Sequence, residues 1–205
     1  MKKFKLTSEF IVDISGVKLF RIKALIEFGN VKAGDLGGYI EKEENLSHMG
    51  NAWVSGNAQV SGDARVSGNA RVSGDAWVFG NAQVSGDARV FGNAWVFGDA
   101  RVSGNARVSG DAQVFGDARV SGNAQVFGDA RVSGDKDYAY AHGFGSCNRT
   151  TTFFRLKDGD VGVRCGCFYG TLAQFRDNVC ETHGETKKAQ EYLMLADLMD
   201  FRFKN

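Results

Sequence analysis

From Gly50 to Ser133 one six-residue pattern of small, polar, apolar and variable positions recurs without a slip in register, giving fourteen copies of Gly-(Asn/Asp)-Ala-x-Val-(Ser/Phe). Within each copy Ala and Val are two residues apart, so on a strand both point to one face while x and Ser/Phe point to the other. The pattern predicts short strands with Ala and Val turned inward, joined by corners at Gly-(Asn/Asp). Glycine takes a positive φ at no steric cost, and Asn or Asp tolerates the left-handed region better than most residues. The chain has no proline, as suits coils whose strand N–H groups are all needed by their neighbours. A period of six fits neither a heptad nor a helical array of roughly 34-residue units.

A stack of coils has two open ends that invite unwanted strand pairing, so the flanks are expected to be caps. Upstream, Glu9 to Ile14, Ser15-Gly16 and Val17 to Leu25 predict a hairpin, and Gly34-Asp35-Leu36 through Asn45-Leu46 a degraded first coil. Downstream, Thr150 to Lys157, Asp158-Gly159 and Val161 to Phe168 predict a second hairpin. Thr171-Leu172-Ala173-Gln174 has capping-box spacing and opens a helix with Leu172, Phe175 and Val179 on one face and Gly184 as its stop. A second helix, from about Thr186 to Asp200, places Ala189, Tyr192, Leu193, Ala196 and Met199 on one stripe, a pattern of core packing. The expected organisation is a β cap with a degraded coil over 1–49, a β-helix over 50–135, and a hairpin with two helices over 136–205.

The repeats resemble the hexapeptide-repeat superfamily of left-handed parallel β-helices, a resemblance that covers residues 50 to 133. It implies a mainly β fold, three hexads per turn and hence about 4.7 coils, a prism roughly two nanometres long at the interstrand spacing of roughly 4.8 Å. Residues eighteen apart then stack, and the outward positions sort into three ladders. The first carries Trp53, Arg71, Arg89, Arg107 and Gln125 beside Ser55, Ser73, Phe91, Ser109 and Phe127. On the second, Trp77, Phe79, Trp95, Phe97 and Phe115 form an aromatic patch larger than scattered apolar groups would make, of the kind a subunit or partner buries. Members of the superfamily usually form trimers with coils side by side, so the resemblance implies a homotrimer, and self-association is the favoured use of this patch. Cover by the chain's own C-terminal helices and a foreign partner are the other readings. The third ladder, with Arg65, Gln83, Arg101 and Arg119 among serines, has no apolar side chain. Arg65, Arg101 and Arg119, with Arg71, Arg89 and Arg107 of the first ladder, are candidates to bind an anionic ligand, because a guanidinium grips phosphate bidentately. The favoured reading instead places each arginine near a corner carboxylate, the repeats holding seven Arg and seven Asp.

Composition narrows the function classes. With 25 basic and 24 acidic side chains the net charge is +1, so no global field draws the protein to nucleic acid or anionic lipid. No apolar run approaches the roughly 18 residues of a membrane span, and Phe10-Ile11-Val12 stops at Asp13, short of a signal-peptide core. Cys147, Cys165, Cys167 and Cys180 are too few for a disulfide framework, so reduced thiols in a cytoplasm are expected.

Acyltransferases of the superfamily use a histidine base in a cleft between coils, and its carbonic anhydrases use three histidines on zinc. The repeats hold neither a histidine nor an insertion, and His48, His142 and His183 are far apart in sequence. A non-enzymatic protein is therefore expected. The runner-up is a degenerate acyltransferase-like protein using His142 or His183 at a subunit junction. Cys165, Cys167, Cys180 and His183 have spacings that offer four tetrahedral ligands for a structural zinc, free thiols beside a surface histidine being the other reading. Finally, Gly34-Asp35-Leu36-Gly37-Gly38-Tyr39 and Val163-Arg164-Cys165-Gly166-Cys167-Phe168-Tyr169-Gly170-Thr171 resemble the flanks of phage and prophage hexapeptide-repeat proteins. That resemblance carries no assigned activity. If the source is a phage, a scaffold in the host cytoplasm acting against a defence component is expected, by binding a host protein through the aromatic ladder or by sequestering a nucleotide between aromatics and arginines of adjacent subunits.

Overall fold

The computed structural model describes residues 1–146 and 149–204. The protein is mainly β, a parallel β-solenoid of about five turns with N-terminal strands at one end and a small sheet with two helices at the other. The N-terminal strands are β1 (Phe4–Val12), β2 (Lys18–Ala24) and β3 (Leu36–Ile40). Each repeat then contributes one two-residue strand, from β4 (Trp53–Val54) to β17 (Arg131–Val132). Parallel pairing joins residues eighteen apart, as in Trp53 with Arg71, Gln59 with Trp77 and Arg65 with Gln83. Three repeats therefore make one turn, and the outward columns are those expected from the period. The Ala and Val of every repeat are at most 1% exposed.

Corner glycines are required twice over. Gly68 has φ +68°, and a Cβ on it would lie 3.0 Å from the backbone nitrogen of Gly86 in the next turn. A side chain there is strained by its own backbone and collides with the neighbouring coil.

Bonds between turns have a direction. At the x, Ser/Phe and Asn/Asp positions the N–H points forward, as when Arg71, Ser73 and Asp75 donate to the carbonyls of Ala88, Val90 and Gly92, each at 2.9 Å. The stack thus ends in carbonyls at its N-terminal rim and in N–H groups at its C-terminal rim, and a buried backbone group of either kind must be paired.

The caps have matching chemistry. At the first rim Lys3, 1% exposed, donates its Nζ to Ala52 O at 2.8 Å and Gly50 O at 3.3 Å. Asn45 donates its amide to Ala64 O at 2.9 Å and Gly62 O at 3.0 Å, while the N–H groups of Tyr39, Glu41 and Ser47 serve Ala58, Val60 and Val66. In this degraded coil Tyr39 and Leu46 pair with Gln59 and Val66, twenty residues on, so the turn is two residues longer than those that follow. At the other rim, acceptors face the coil. Asp135 Oδ1 takes Arg119 N–H, Thr152 Oγ1 takes Gln125 N–H and Asp137 Oδ2 takes Ser133 N–H, each at 2.9 Å.

The C-terminal sheet is an antiparallel meander of β18 (Tyr138–His142), β19 (Thr150–Arg155), β20 (Val161–Cys165) and β21 (Phe168–Thr171). Alternation along β19 gives it two jobs: Phe154 joins the solenoid core, and Phe153 packs with the helices. Helix α1 (Leu172–His183) begins in a Thr171–Gln174 capping box and buries Leu172, Phe175 and Val179, with Gly184 at φ 56° as its stop. Helix α2 (Lys187–Phe203) buries Ala189, Tyr192, Ala196, Met199 and Phe203. One expectation is corrected: the strand read as Val161 to Phe168 is two strands, because Gly166, at φ 58°, turns the chain back. Strand β18 was not foreseen. No helix among the described residues is long and apolar enough to cross a membrane.

Two predictions follow from the first rim. Asn45→Leu leaves two buried carbonyls unpaired, and a loss of about 2–4 kcal/mol is expected in denaturant unfolding; an unchanged midpoint would mean water replaces the amide. Burial lowers the Lys3 amine from 10.5 to about 8. The unfolded chain then binds more protons between those values, so folding becomes more favourable as pH rises from 8 to 10.5. Melting curves should show this gain in the wild type and not in Lys3→Met; parallel curves would mean the folded amine is not desolvated.

Candidate functional site

The three outward columns form on the faces assigned to them. On the second face, whose strand order runs β1-β2-β3-β5-β8-β11-β14-β17 with β5 at Gln59–Val60, the five aromatic side chains touch as a continuous ladder. Trp77 meets Phe79 at 5.3 Å and Trp95 edge-on at 5.4 Å. Phe79, Phe97 and Phe115 stack in register, with centroids 4.9 and 5.1 Å apart and rings within 6° of parallel. All five are half-buried. The apolar cluster built by α1, α2 and the small sheet contains none of them, so cover by the C-terminal helices is not what the structure forms. Near the N-terminal end of the ladder, Gln59 Oε1 and Trp77 Nε1, an acceptor and a donor on paired strands, are both buried without a partner.

Two other repeat aromatics are claimed by the caps. Trp53, expected on a mixed open surface, is 4% exposed beneath Phe28, whose ring meets it edge-on at 5.4 Å. Phe127 lies under Tyr169 at 5.0 Å and under the Arg164 guanidinium. Phe91 is 37% exposed.

The pairing of repeat arginines with corner carboxylates does not occur. Among the described residues, no guanidinium of Arg65, Arg71, Arg89, Arg101, Arg107, Arg119 or Arg131 is in a salt bridge or side-chain hydrogen bond. Five of the seven repeat carboxylates have other partners. Asn57, Asn69, Asn81 and Asn93 donate their amides one turn forward to Asp75, Asp87, Asp99 and Asp111 at 2.9 to 3.0 Å. Asn51 and Asn105 donate to Asn69 and Asn123 at 3.2 and 3.1 Å. Lys42 holds Asp63 at 2.7 Å, and that bond lowers the Asp63 pKa. Arg71, Arg89 and Arg107 are direct neighbours on the first face, as are Arg101 and Arg119 on the third.

The thiol cluster closes only in part. Cys165, Cys167 and His183 line one depression of about 190 Å³ with Arg149 and Tyr192, whereas Cys180 is exposed on α1 outside that lining. The turn at Gly166 leaves Cys165 at the end of β20 and Cys167 beyond it, so the two thiols are not on one strand. Cys165 Sγ instead accepts from Thr151 Oγ1 at 3.2 Å, and His183 stacks on Tyr192 at 5.8 Å. No group of three or more His, Cys, Asp or Glu among the described residues is placed to hold a metal ion, so the four-ligand arrangement expected of Cys165, Cys167, Cys180 and His183 is not formed. Cys147 lies outside the described residues.

Sequence reasoning missed Lys3, Asn45, Asp135, Asp137 and Thr152, which hold the rims, and Asn30, which the hairpin Phe28–Val31 brings to the first face. The only available signal was that a stack with rims of opposite polarity needs donors before it and acceptors after it.

The corners yield a prediction. Asp99 and Asp117 stack with no donor between them, so Asp99→Asn should still accept from Asn81 and should also donate to Asp117. A stabilisation of about 0.5–1 kcal/mol is expected, larger at low salt; a lower melting temperature would show that the Asp99 charge is needed.

A model of the YdcK β-solenoid repeat matches residues 58–74, 64–80, 82–98, 100–114 and 112–126, all within the coils. A search of curated proteins found no match. With the continuous coil pairing, the match identifies the chain as a repeat β-solenoid protein.

Proposed function

We propose that this protein is a non-enzymatic binding scaffold that assembles as a homotrimer through its second face, with the solenoid as a rigid rod. The observation that carries this reading is the ladder of Trp77, Phe79, Trp95, Phe97 and Phe115, five touching rings that no cap covers. Apolar patches of this kind are buried in interfaces, and homo-oligomers close by symmetry. Resemblance to hexapeptide-repeat proteins supports left-handed winding and three copies with coils side by side. The flanks' resemblance to phage proteins supports action in a host cytoplasm against a defence component.

Acyl transfer is the weaker reading. It needs a histidine base in a cleft between coils, and the three histidines have structural partners: His48 stacks on Phe4 at 4.3 Å, His142 Nδ1 lies 3.0 Å from Thr150 Oγ1, and His183 stacks on Tyr192.

The test is mass-resolved light scattering of the wild type and of a variant carrying Trp77→Gln, Phe79→Ser, Trp95→Gln and Phe97→Ser. Gln and Ser occupy the same positions in other repeats, so the variant should fold. A trimer that becomes a folded monomer is expected. A monomeric wild type, or a trimer unaffected by the changes, would overturn the assignment.

A further inference from the structure

We propose that the first face carries a binding site for a nucleoside diphosphate, built from Arg71, Arg89, Phe91, Ser73 and Asn30 of a single chain. These five residues line a depression of about 350 Å³. The site does not depend on assembly through the second face.

Its floor is the coil. Arg71 and Arg89 are directly paired on adjacent strands, so their side chains leave the face side by side, roughly 4.8 Å apart at the backbone. Among the described residues neither guanidinium is in a salt bridge or side-chain hydrogen bond, although a free carboxylate would readily supply one. The nearest corner acids in sequence, Asp75 and Asp87, accept the amides of Asn57 and Asn69 at 3.0 Å, and neither lines the depression. Two like charges are thus held together with nothing between them, an arrangement that an anion stabilises and water only screens.

Its wall comes from the N-terminal cap. The tight hairpin Phe28–Val31 is closed by Phe28 N–H to Val31 O at 3.0 Å and Val31 N–H to Phe28 O at 2.9 Å. Phe28 anchors it on Trp53 and under the Lys3 ammonium, 4.7 Å from the ring. Gly29, at φ +53°, comes so close that a Cβ there would lie 3.2 Å from Arg71 Nη2. The absence of a side chain at Gly29 thus leaves room for the guanidinium against the hairpin, and Asn30 lines the depression beside it.

Phe91 completes the site. It follows Arg89 by two residues on the same outward side, in a column where Ser55, Ser73 and Ser109 stand nearby. Unlike Phe127 it has no cap over it, and 37% of it is open. A planar ring against an aromatic face, with phosphates on the two guanidiniums that line the same depression, is the chemistry of a nucleotide. The larger hollow on the third face, with Arg65 and Gln83, also contains Glu44 and no aromatic residue; it would repel phosphate and give a base nothing to stack on.

The experiment is calorimetric titration at low ionic strength with adenosine diphosphate, inorganic pyrophosphate and adenosine as probes. The variants are Arg71→Gln with Arg89→Gln, Phe91→Ser, and Arg101→Gln with Arg119→Gln on the third face. All introduce residues that other repeats carry at the same position, and unchanged melting curves will establish folding. We expect the diphosphate to bind, the first-face arginine pair to cost at least tenfold in affinity, and the third-face pair to cost less than twofold. Phe91→Ser should weaken the nucleotide severalfold and leave pyrophosphate unchanged. No binding of either phosphate compound, or equal losses from both arginine pairs, would overturn the site. Equal affinity for pyrophosphate and nucleotide would overturn the role of Phe91. None of these outcomes depends on whether the protein is a trimer.

Discussion

The hydrogen bonds between successive turns are the constraint on which the other features rest. Each turn must lie at strand spacing from the next, so the corner favours glycine, both for its positive φ and for the 3.0 Å approach that a Cβ on Gly68 would make to Gly86. Between the caps the prism interior is filled by Ala and Val, which repeat without gap from Ala52 to Val132. Because most of these N–H groups point the same way along the stack, its two ends are chemically opposite. An ammonium and a primary amide satisfy the carbonyl rim, and carboxylates and a hydroxyl satisfy the other. The caps cannot be exchanged: an aspartate over the carbonyl rim would set acceptor against acceptor.

Stacking near-identical repeats also stacks identical charges, and the chain handles this differently at corners and on faces. At the corners, Asn below Asp turns a repulsive column into a series of amide-to-carboxylate bonds, four of which join residues eighteen apart, with two more bonds from Asn to Asn. On the faces nothing comparable is done for arginine. Two exposed unit charges about 4 Å apart in water repel by only about 1 kcal/mol, a cost the fold can carry, so stability alone does not demand partners for Arg71, Arg89 and Arg107. Side-chain donors occupy five of the seven repeat carboxylates, and among the described residues the repeat guanidiniums have no salt bridge.

Much of this was legible in the sequence, for identifiable reasons. A period of six with Ala and Val two apart fixes which side chains face inward, and the eighteen-residue turn then sorts every outward residue into its column. Both helices were readable because Thr171, Gln174, Gly184 and Thr186 mark their ends by local chemistry. The failures concern long-range contacts. Nothing near Lys3 in the chain indicates that its ammonium will close a coil nearly fifty residues later. The separation of Cys180 from Cys165 and Cys167 depends on a turn at Gly166 and on which face α1 buries. The arginine–carboxylate pairing failed because equal numbers of opposite charges do not determine partners: Asn69 reaches Asp87 before Arg89 does.

The outward positions are almost uncoupled from folding, and that makes them informative. At x the repeats carry Trp, Gln or Arg on one backbone, with the same pairing and the same buried Ala and Val beside them, so the fold does not dictate where aromatics go. Eight occur in the repeats. Trp53 and Phe127 are accounted for by the caps that cover them. The remaining six fall in two places: five on one face, touching one another, and Phe91 alone beside Arg89. Packing explains the covered pair and leaves the other six without an intramolecular purpose that would require them. Under the proposed function, an aromatic side chain kept half open on a rigid strand, at a position where other repeats carry serine or glutamine, serves recognition, and the two groups differ in what they would recognise. The continuous ladder offers area without charge, suited to another protein surface. Phe91 offers a single ring beside two free guanidiniums, suited to a small anion with a planar group.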